Sequence, residues 1–162
     1  MSVRCQMAES RIFAAATVAV GLLGVVHAVV TWPARATLAL FAGGALVAFV
    51  AEAVVSNLGW LEHHVGPALL GVPLYVLFGW TGVVYAAFRL ALLVTDGWSG
   101  VALGAAVATT YDFLADHRGV ARGYWTYTDD IPGPRVRSVP WWNFVGWLLI
   151  SVLTASFALP FL

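Results

Sequence analysis

Carboxyl groups recur at matching places in two apolar stretches of the sequence. In each stretch small residues precede the acid at intervals of four: Gly44, Ala48 and Glu52 in one, and Gly104, Ala108 and Asp112 in the other. Residues four apart share a helix face, and small residues on that face let helices approach closely in lipid. An ionised carboxylate that faces lipid costs about 2.5–3.5 kcal/mol. We therefore expect both carboxyl groups to face the protein interior.

Two carboxyl groups in one dry pocket can act as an acid and a base. Desolvated carboxyl groups at short range do not readily both ionise, so one keeps its proton while the other accepts one. Asp116 lies one turn beyond Asp112, and Asn143 is a polar residue within an aromatic run. The candidate catalytic residues are therefore Glu52, Asp112, Asp116 and Asn143. The alternative that a carboxyl group simply pairs with an arginine or caps a loop stays open for Glu52 and Asp112, and above all for Asp116, which lies at the helix end beside Arg118.

Aromatic residues are dense near these acids. Most of them are expected to form an ordinary interfacial belt. The others could line a cavity, where an aromatic face attracts a cation or a carbocation-like centre. The candidate substrate-binding residues are Trp80, Tyr111, Tyr124, Trp125, Trp141 and Trp142.

His63 and His64 lie next to each other in a loop. With the nearby carboxylates they could hold a metal ion, as in a metal-dependent prenyl-lipid enzyme. Side chains adjacent in sequence rarely converge on one ion. We therefore expect neither a metal nor a cofactor.

The acids belong to a larger internal repeat. Residues 66–80 and 133–147 carry Gly-Pro, Val-Pro and Gly-Trp at the same three internal positions. We predict a parallel duplication of 36–94 and 98–160 about a pseudo-two-fold axis along the membrane normal. That axis would bring Glu52 and Asp112 to equivalent positions. The alternative is that these dipeptides merely recur at membrane helix entries, where Pro and Trp are favoured.

The composition is that of an integral membrane protein. The 162 residues are 61% hydrophobic and 10% charged, whereas a soluble domain is about 25% charged. A net charge of zero gives no basis for nucleic-acid binding, and the single Cys5 excludes an intramolecular disulfide. We predict one all-α membrane domain over 1–162, a bundle of about five transmembrane helices near 11–32, 36–58, 72–94, 98–116 and 140–160.

Arginine placement predicts the orientation in a multi-pass arrangement. Arg35 and Arg89 fall at one side of the five-span arrangement, and the six other arginines fall at the opposite side: Arg4, Arg11, Arg118, Arg122, Arg135 and Arg137. The positive-inside rule then puts the N-terminus in the cytoplasm of a cell-membrane protein. A cleaved signal peptide is the alternative for the first stretch, although its apolar run exceeds the roughly 7–15 residues of a signal.

Residues 48–148 resemble the CruF-type carotenoid biosynthesis family, which includes the bisanhydrobacterioruberin hydratase of haloarchaea. The most specific part is the aromatic-Asp-x-x-x-Asp helix end, followed by a Trp and a Pro-x-x-Asn-x-x-Gly-Trp helix. The residues that carry the resemblance are Glu52, Gly66-Pro67, Val72-Pro73, Trp80, Tyr111-Asp112, Asp116, Gly123-Tyr124-Trp125, Val139-Pro140, Asn143 and Gly146-Trp147. The chain departs from the family pattern at Asp116-His117 and at Leu61-Glu62-His63-His64.

The resemblance implies a carotenoid hydratase, a hydro-lyase that adds water to a terminal double bond of an acyclic carotenoid without a redox cofactor. Its partners would be a carotenoid or another long isoprenoid substrate and the lipid bilayer. The alternative is a non-catalytic membrane subunit, or an isoprenoid-binding partner of another membrane protein in the same pathway.

Overall fold

Five long helices form the framework of the part of the chain that the structure describes. The computed structural model describes residues 3–128 and 130–162, without the side chains of residues 3–6, so the predictions that rest on Arg4 and Cys5 lie outside the described side chains. The helices are α1 (Val3–Thr31), α2 (Ala34–Asn57), α3 (Leu74–Ala91), α4 (Gly97–Ala121) and α5 (Trp141–Ala158). The all-α membrane bundle expected from the sequence is therefore confirmed.

Four of these helices are long and apolar enough to cross a membrane. They are α1 from Met7 onward, α2, α3, and α5 with the short 3₁₀ turn that follows it. The remaining helix, α4, has 25 residues, and its glycines, threonines and acids make it less apolar. It packs between α3 and α5 within the bundle. The predicted end of this helix at 116 is wrong, because α4 continues to Ala121.

The two halves of the bundle pack across each other. A methyl group in place of the Gly104 hydrogen would lie 2.8 Å from Cα of Phe88, so α4 of the second half presses on α3 of the first. In the same way, Gly44 of α2 leaves no room for a side chain against Thr154 of α5. The first helix of each half thus packs against the second helix of the other half, as a two-fold relation requires.

Two β-hairpins lie at the same end of the bundle, which we call the loop end. Strand β2 (Ala68–Leu69) pairs with β3 (Val72–Pro73), and β5 (Arg135–Val136) pairs with β6 (Val139–Pro140). Both turns have positive φ angles at their two central residues, as type I′ hairpin turns require. The two hairpins therefore repeat the same backbone conformation 67 residues apart, at Leu70-Gly71 and Arg137-Ser138.

A further antiparallel pair joins the two halves. Strand β1 (Leu61–His63) pairs with β4 (Trp125–Tyr127), and Glu62 lies opposite Thr126 at the centre of the register. Sequence periodicity did not predict these short strands. They close the loop end of the bundle over the helices that carry the acids.

One part of the predicted repeat is wrong. The offset of 60 that relates Glu52 to Asp112 also predicts that Gly59 matches Gly119, but Gly119 is helical while Gly59 has a φ of +73°. Its structural counterpart is Gly123, whose φ is +70°. The offset grows because α2 ends at Asn57 and α4 at Ala121, 64 residues apart, whereas the helix interiors match at an offset of 60. The difference is about one helical turn.

Candidate functional site

The acids of both halves line one cavity of about 430 Å³ near the loop end. All five helices contribute to its wall, together with β1, β4 and the residues just before β4. Eight of the predicted site residues lie in this wall: Glu52, Trp80, Tyr111, Asp112, Asp116, Tyr124, Trp125 and Asn143. Trp141 and Trp142 do not line it, and Trp142 instead packs against Trp60 and Tyr127 at the loop end.

Glu52 is held by one side chain from α3 and one from β1. Its side chain is buried, and the indole Nε1–H of Trp80 in α3 donates a hydrogen bond of 3.0 Å to Oε1. Nε2 of His63 in β1 lies 3.0 Å from Oε2. Both carboxyl oxygens of Glu52 therefore face nitrogen donors, provided that His63 carries a proton on Nε2.

The two acids of α4 lie one turn apart and have different partners. Asp112 is 4% exposed, and Nδ2–H of Asn143 in α5 donates a hydrogen bond of 2.8 Å to its Oδ2. Asp116 is 7% exposed, and the hydroxyl of Tyr127 in β4 donates to its Oδ2 at 2.9 Å. Asp116 thus lies inside α4 rather than at a helix end. The alternative of an ion pair is not observed, since Arg118 is exposed and forms none with Asp116 in the described part of the chain.

The Tyr127 hydroxyl remains a hydrogen-bond donor over an unusually wide pH range. Desolvation raises the pKa of Tyr127 well above its ordinary value, and the nearby carboxyl groups of Asp116 and Asp112 raise it further. A raised tyrosine pKa means that the neutral phenol persists to higher pH. Tyr127 therefore serves as a stable neutral donor to Asp116.

The partners of the acids reveal a second correspondence between the halves. His63 of β1 and Tyr127 of β4 occupy equivalent strand positions, 64 residues apart. His63 contacts Glu52, and Tyr127 donates a hydrogen bond to Asp116. Glu52 and Asp116 are also 64 residues apart. Glu52 is therefore equivalent to Asp112 by its position on the packed helix face. It is equivalent to Asp116 by the strand residue that it contacts. The extra turn of α4 lets the second half present two acids where the first presents one.

Aromatic rings form much of the remaining wall. The rings of Trp80 and Trp147 stack with centroids 3.5 Å apart and an interplanar angle of 17°. These two tryptophans are equivalent in the repeat and both line the cavity. Elsewhere in the wall, Phe13 of α1 stacks on Tyr124 with ring centroids 4.4 Å apart. The acids thus lie among aromatic faces contributed by both halves and by α1.

Some buried polar atoms in the cavity wall have no hydrogen-bond partner among the described residues. They include the hydroxyl oxygen of Tyr75 in α3 and Nδ1 of His63. Buried polar groups are normally satisfied by protein or by ordered water. A water molecule or a ligand hydroxyl in the cavity would supply the missing bonds.

The adjacent histidines do not act together. Nε2 of His64 lies 3.0 Å from Oγ1 of Thr126, while His63 faces the cavity and Glu52. Among the described residues, no group of three or more His, Cys, Asp or Glu side chains is arranged to hold a metal ion.

The wall residues that were not among the predicted site residues include Phe13, His63, Tyr127 and Trp147. His63 and Tyr127 owe their positions to the β1–β4 pair, and Phe13 comes from α1, which lies outside the repeat. Trp147 was identified as a repeat position and as part of the family resemblance, but not as a site residue. Its match to Trp80, a predicted site residue, is a signal that could have added it.

Comparison with known proteins agrees with this architecture. The family model described as "Carotenoid biosynthesis protein" matches residues 10–161, which is nearly the whole chain. No curated protein and no solved structure shows significant similarity to it. The match includes α1 and every helix that contributes to the cavity. The chain therefore belongs to the family of carotenoid biosynthesis proteins.

Proposed function

We propose that this carotenoid biosynthesis protein is a hydratase that adds water to a terminal double bond of an acyclic carotenoid. The observation that carries the proposal is the group of three buried carboxyl residues, Glu52, Asp112 and Asp116, in one largely aromatic cavity. Hydration of an isolated alkene needs a positioned proton donor, stabilisation of a cation, and a base for the incoming water. The cavity wall offers a residue for each of these tasks.

Asp112 is the proposed acid. Its carboxyl group is buried, and in a water-poor cavity burial of the neutral acid costs less free energy than burial of the carboxylate. Asn143 occupies Oδ2, so Oδ1 is the oxygen that carries the proton in this proposal. Transfer of that proton to the less substituted alkene carbon forms a new C–H bond from the π electrons. The positive charge then lies on the tertiary carbon.

The aromatic faces of the cavity stabilise that cation. The stacked pair of Trp80 and Trp147 lies in the wall that also holds Glu52, Asp112 and Asn143. A cation within about 6 Å of an aromatic centroid gains about 0.5–2 kcal/mol, more when it is desolvated. A tertiary cation that forms between these rings and Asp112 would be stabilised until water attacks it.

Glu52 is the proposed base. Its two oxygens face nitrogen donors of Trp80 and His63, an arrangement that suits a carboxylate. Water between Tyr75, His63 and Glu52 attacks the tertiary carbon and forms the C–O bond. Glu52 takes the proton that this water loses, and transfer of that proton from Glu52 to Asp112 restores both carboxyl groups to their starting states. The overall reaction adds one water molecule to the alkene and needs no oxidant or reductant.

The experiment that tests this function uses the purified chain in liposomes that contain an acyclic carotenoid. The expected product is the tertiary alcohol, which carries heavy oxygen when the reaction is run in heavy-oxygen water. Asp112→Asn keeps the size and polarity of the side chain but removes the transferable proton, so product should fall to background. Glu62→Gln, at an exposed carboxyl group beside the site, is the matched control and should retain activity.

The outcome also separates the proposal from a non-catalytic role. If the wild-type chain binds the carotenoid but forms no alcohol until a second pathway protein is added, the chain is a binding subunit and the hydratase proposal fails. Full activity of a well-inserted Asp112→Asn protein would remove Asp112 from the mechanism.

For the membrane, we propose that the loop end lies at the cytoplasmic face. Four arginines follow the acids of α4 or lie in the second loop: Arg118, Arg122, Arg135 and Arg137. The positive-inside rule favours their retention in the cytoplasm. A cysteine placed in the β5–β6 turn should react with a membrane-impermeant maleimide only after the membrane of the cell is opened; reaction in intact cells would reverse the orientation.

A further inference from the structure

The cavity has an opening on its side, between α1 and α4. Ala16 and Val20 of α1 line the cavity and are nevertheless exposed, Val20 by 61%. On α4, Tyr111 also lines the cavity and is 55% exposed. Residues that border the cavity and are also exposed mark its mouth. The main packing partner of α1 is α3, and α4 packs on α3 and α5, which leaves the space between α1 and α4 open.

This mouth lies at the depth of the membrane rather than at its surface. Ala16 and Val20 belong to the apolar span Met7–Thr31, and at 1.5 Å per residue Val20 lies about 20 Å along it. Arg118 and Arg122 border the cavity at its loop-end edge and are exposed. Long basic side chains reach from such positions to the polar interface. The mouth therefore lies on the hydrocarbon side of these arginines.

The loop end of the cavity is comparatively closed. Leu61 of β1 is 6% exposed and Tyr124 is 5% exposed. The β1–β4 pair and the aromatic stack of Tyr124 on Phe13 cover the acids from this end. The acids are thus covered from the loop end, while the open border of the cavity runs between α1 and α4 as far as the exposed Arg118 and Arg122. An apolar molecule can reach this border from the lipid.

We infer that the cavity opens sideways into the hydrocarbon of the bilayer, and that the end group of a long acyclic isoprenoid enters there while the rest of its chain stays in lipid. The identity of the ligand rests on the proposed function, whereas the opening itself does not. A cavity of 430 Å³ is within the roughly 300–1,000 Å³ that holds a drug-sized ligand. It accommodates an end group, and a long polyene must leave most of its length outside.

The opening can be tested without any reaction. In a Cys5→Ser background, Ala115→Cys places a spin label at the half-buried α4 wall of the cavity. Leu114→Cys places one on the neighbouring lipid-exposed surface at nearly the same depth. Both labels should collide with oxygen, which dissolves in lipid, more than with a water-soluble nickel chelate. Strong nickel contact at position 115 but not at 114 would show that the cavity opens to water, and would overturn the inference.

Entry of the ligand is tested by narrowing the mouth from both sides. Ala16→Phe on α1 and Ala115→Phe on α4 should slow hydration of a long acyclic carotenoid by about tenfold or more. The matched controls Ala15→Phe and Leu114→Phe alter exposed residues beside the mouth that do not line the cavity. They should stay within about twofold of the wild type. A short alkene with the same end group should still react in all four variants.

The possible results separate this inference from the proposed function. Loss confined to the long substrate in the two mouth variants supports sideways entry. Unchanged rates in both mouth variants would overturn it even if the wild-type protein is a hydratase. A different result would separate the two ideas: the wild-type protein hydrates neither substrate, while the label on the Ala115→Cys protein collides with oxygen. That result would overturn the proposed function and support only the opening to lipid.

Discussion

Nδ2 of Asn143 donates a hydrogen bond of 2.8 Å to Oδ2 of Asp112 and thereby fixes the acid of α4 from the first turn of α5. Both residues lie in the second half of the repeat. In the first half, Trp80 and His63 hold Glu52 instead. The two halves therefore present their carboxyl groups to one cavity through different partners, and each partner can be removed separately.

Asn143→Leu should weaken catalysis more than folding. The change removes the donor to Asp112 and leaves the carboxyl group without its orienting bond. Hydrogen bonds to charged or ionisable groups contribute about 1.5–3 kcal/mol, so the rate of hydration should fall roughly ten- to hundredfold. Rates are measured in liposomes with the acyclic carotenoid. Asn57→Ala removes an amide at the end of α2 that bonds only to backbone carbonyl oxygens, and it should leave the rate unchanged.

The neighbouring histidines should respond differently to the same substitution. His63→Phe removes the nitrogen that faces Glu52, whereas His64→Phe removes one that faces Thr126 at the surface. We expect His63→Phe to reduce hydration about tenfold or more, because Glu52 loses one of its two nitrogen partners. His64→Phe should be close to the wild type. Equal loss in both variants would show that His63 acts only through the fold of β1.

Tyr127 should make stability fall at high pH. Its pKa is raised in the folded protein, and the unfolded chain releases this proton near pH 10. Below that pH both states keep the proton, so the contribution to stability is complete. Above it the unfolded state is favoured, by up to about 1.4 kcal/mol for each pH unit until the pH reaches the folded pKa. Thermal unfolding in detergent between neutral pH and pH values above 10 should show a smaller alkaline loss in Tyr127→Phe than in the wild type. Equal losses would contradict this prediction.

Two glycines in the helices should tolerate a methyl group to very different degrees. At Gly104 the new Cβ would lie 2.8 Å from Cα of Phe88, so α3 and α4 must separate. Gly104→Ala should therefore cost about 1–3 kcal/mol of stability. At Gly146 of α5 nothing lies within 4 Å of the new atom, and Gly146→Ala should be neutral or stabilising by up to about 1 kcal/mol. Reversible unfolding of both proteins in detergent checks the pair, and a Gly104→Ala protein as stable as the wild type would contradict the tight approach.

The membrane bundle could be predicted from the sequence because its signals are local. Apolar length predicts the bounds of α2, α3 and α5 to within three residues, whereas α1 begins eight residues before its predicted start and α4 ends five residues after its predicted end. The repeated Gly-Pro and Val-Pro dipeptides predict two equivalent loops, but not the hairpins within them. The spacing of Glu52 and Asp112 behind small residues correctly places both acids in the protein interior. These features depend on residues that are close together in the chain.

The contacts between the two loops could not be predicted in the same way. His63 and Tyr127 are brought to the acids by strands of three residues that pair across 64 positions of sequence. Strands of that length have too little periodicity to be recognised. Asp116 was expected at a helix end because α4 was predicted to be one turn shorter than it is. The amino-acid composition of residues 117–121 does not distinguish this extra turn from a loop.

The register of β1 and β4 has a further consequence for how the acids differ. Strands β1 and β4 occupy equivalent places in the two halves and pair with each other, with Glu62 opposite Thr126 at the centre. Equivalent segments of two identical subunits pair in this way in a symmetric dimer. Identical subunits would bring identical carboxyl groups to such an axis, and neither would be distinguished as donor or acceptor. Fusing the two units into one polypeptide removes that constraint, so histidine on one side and tyrosine on the other can give the acids unequal surroundings.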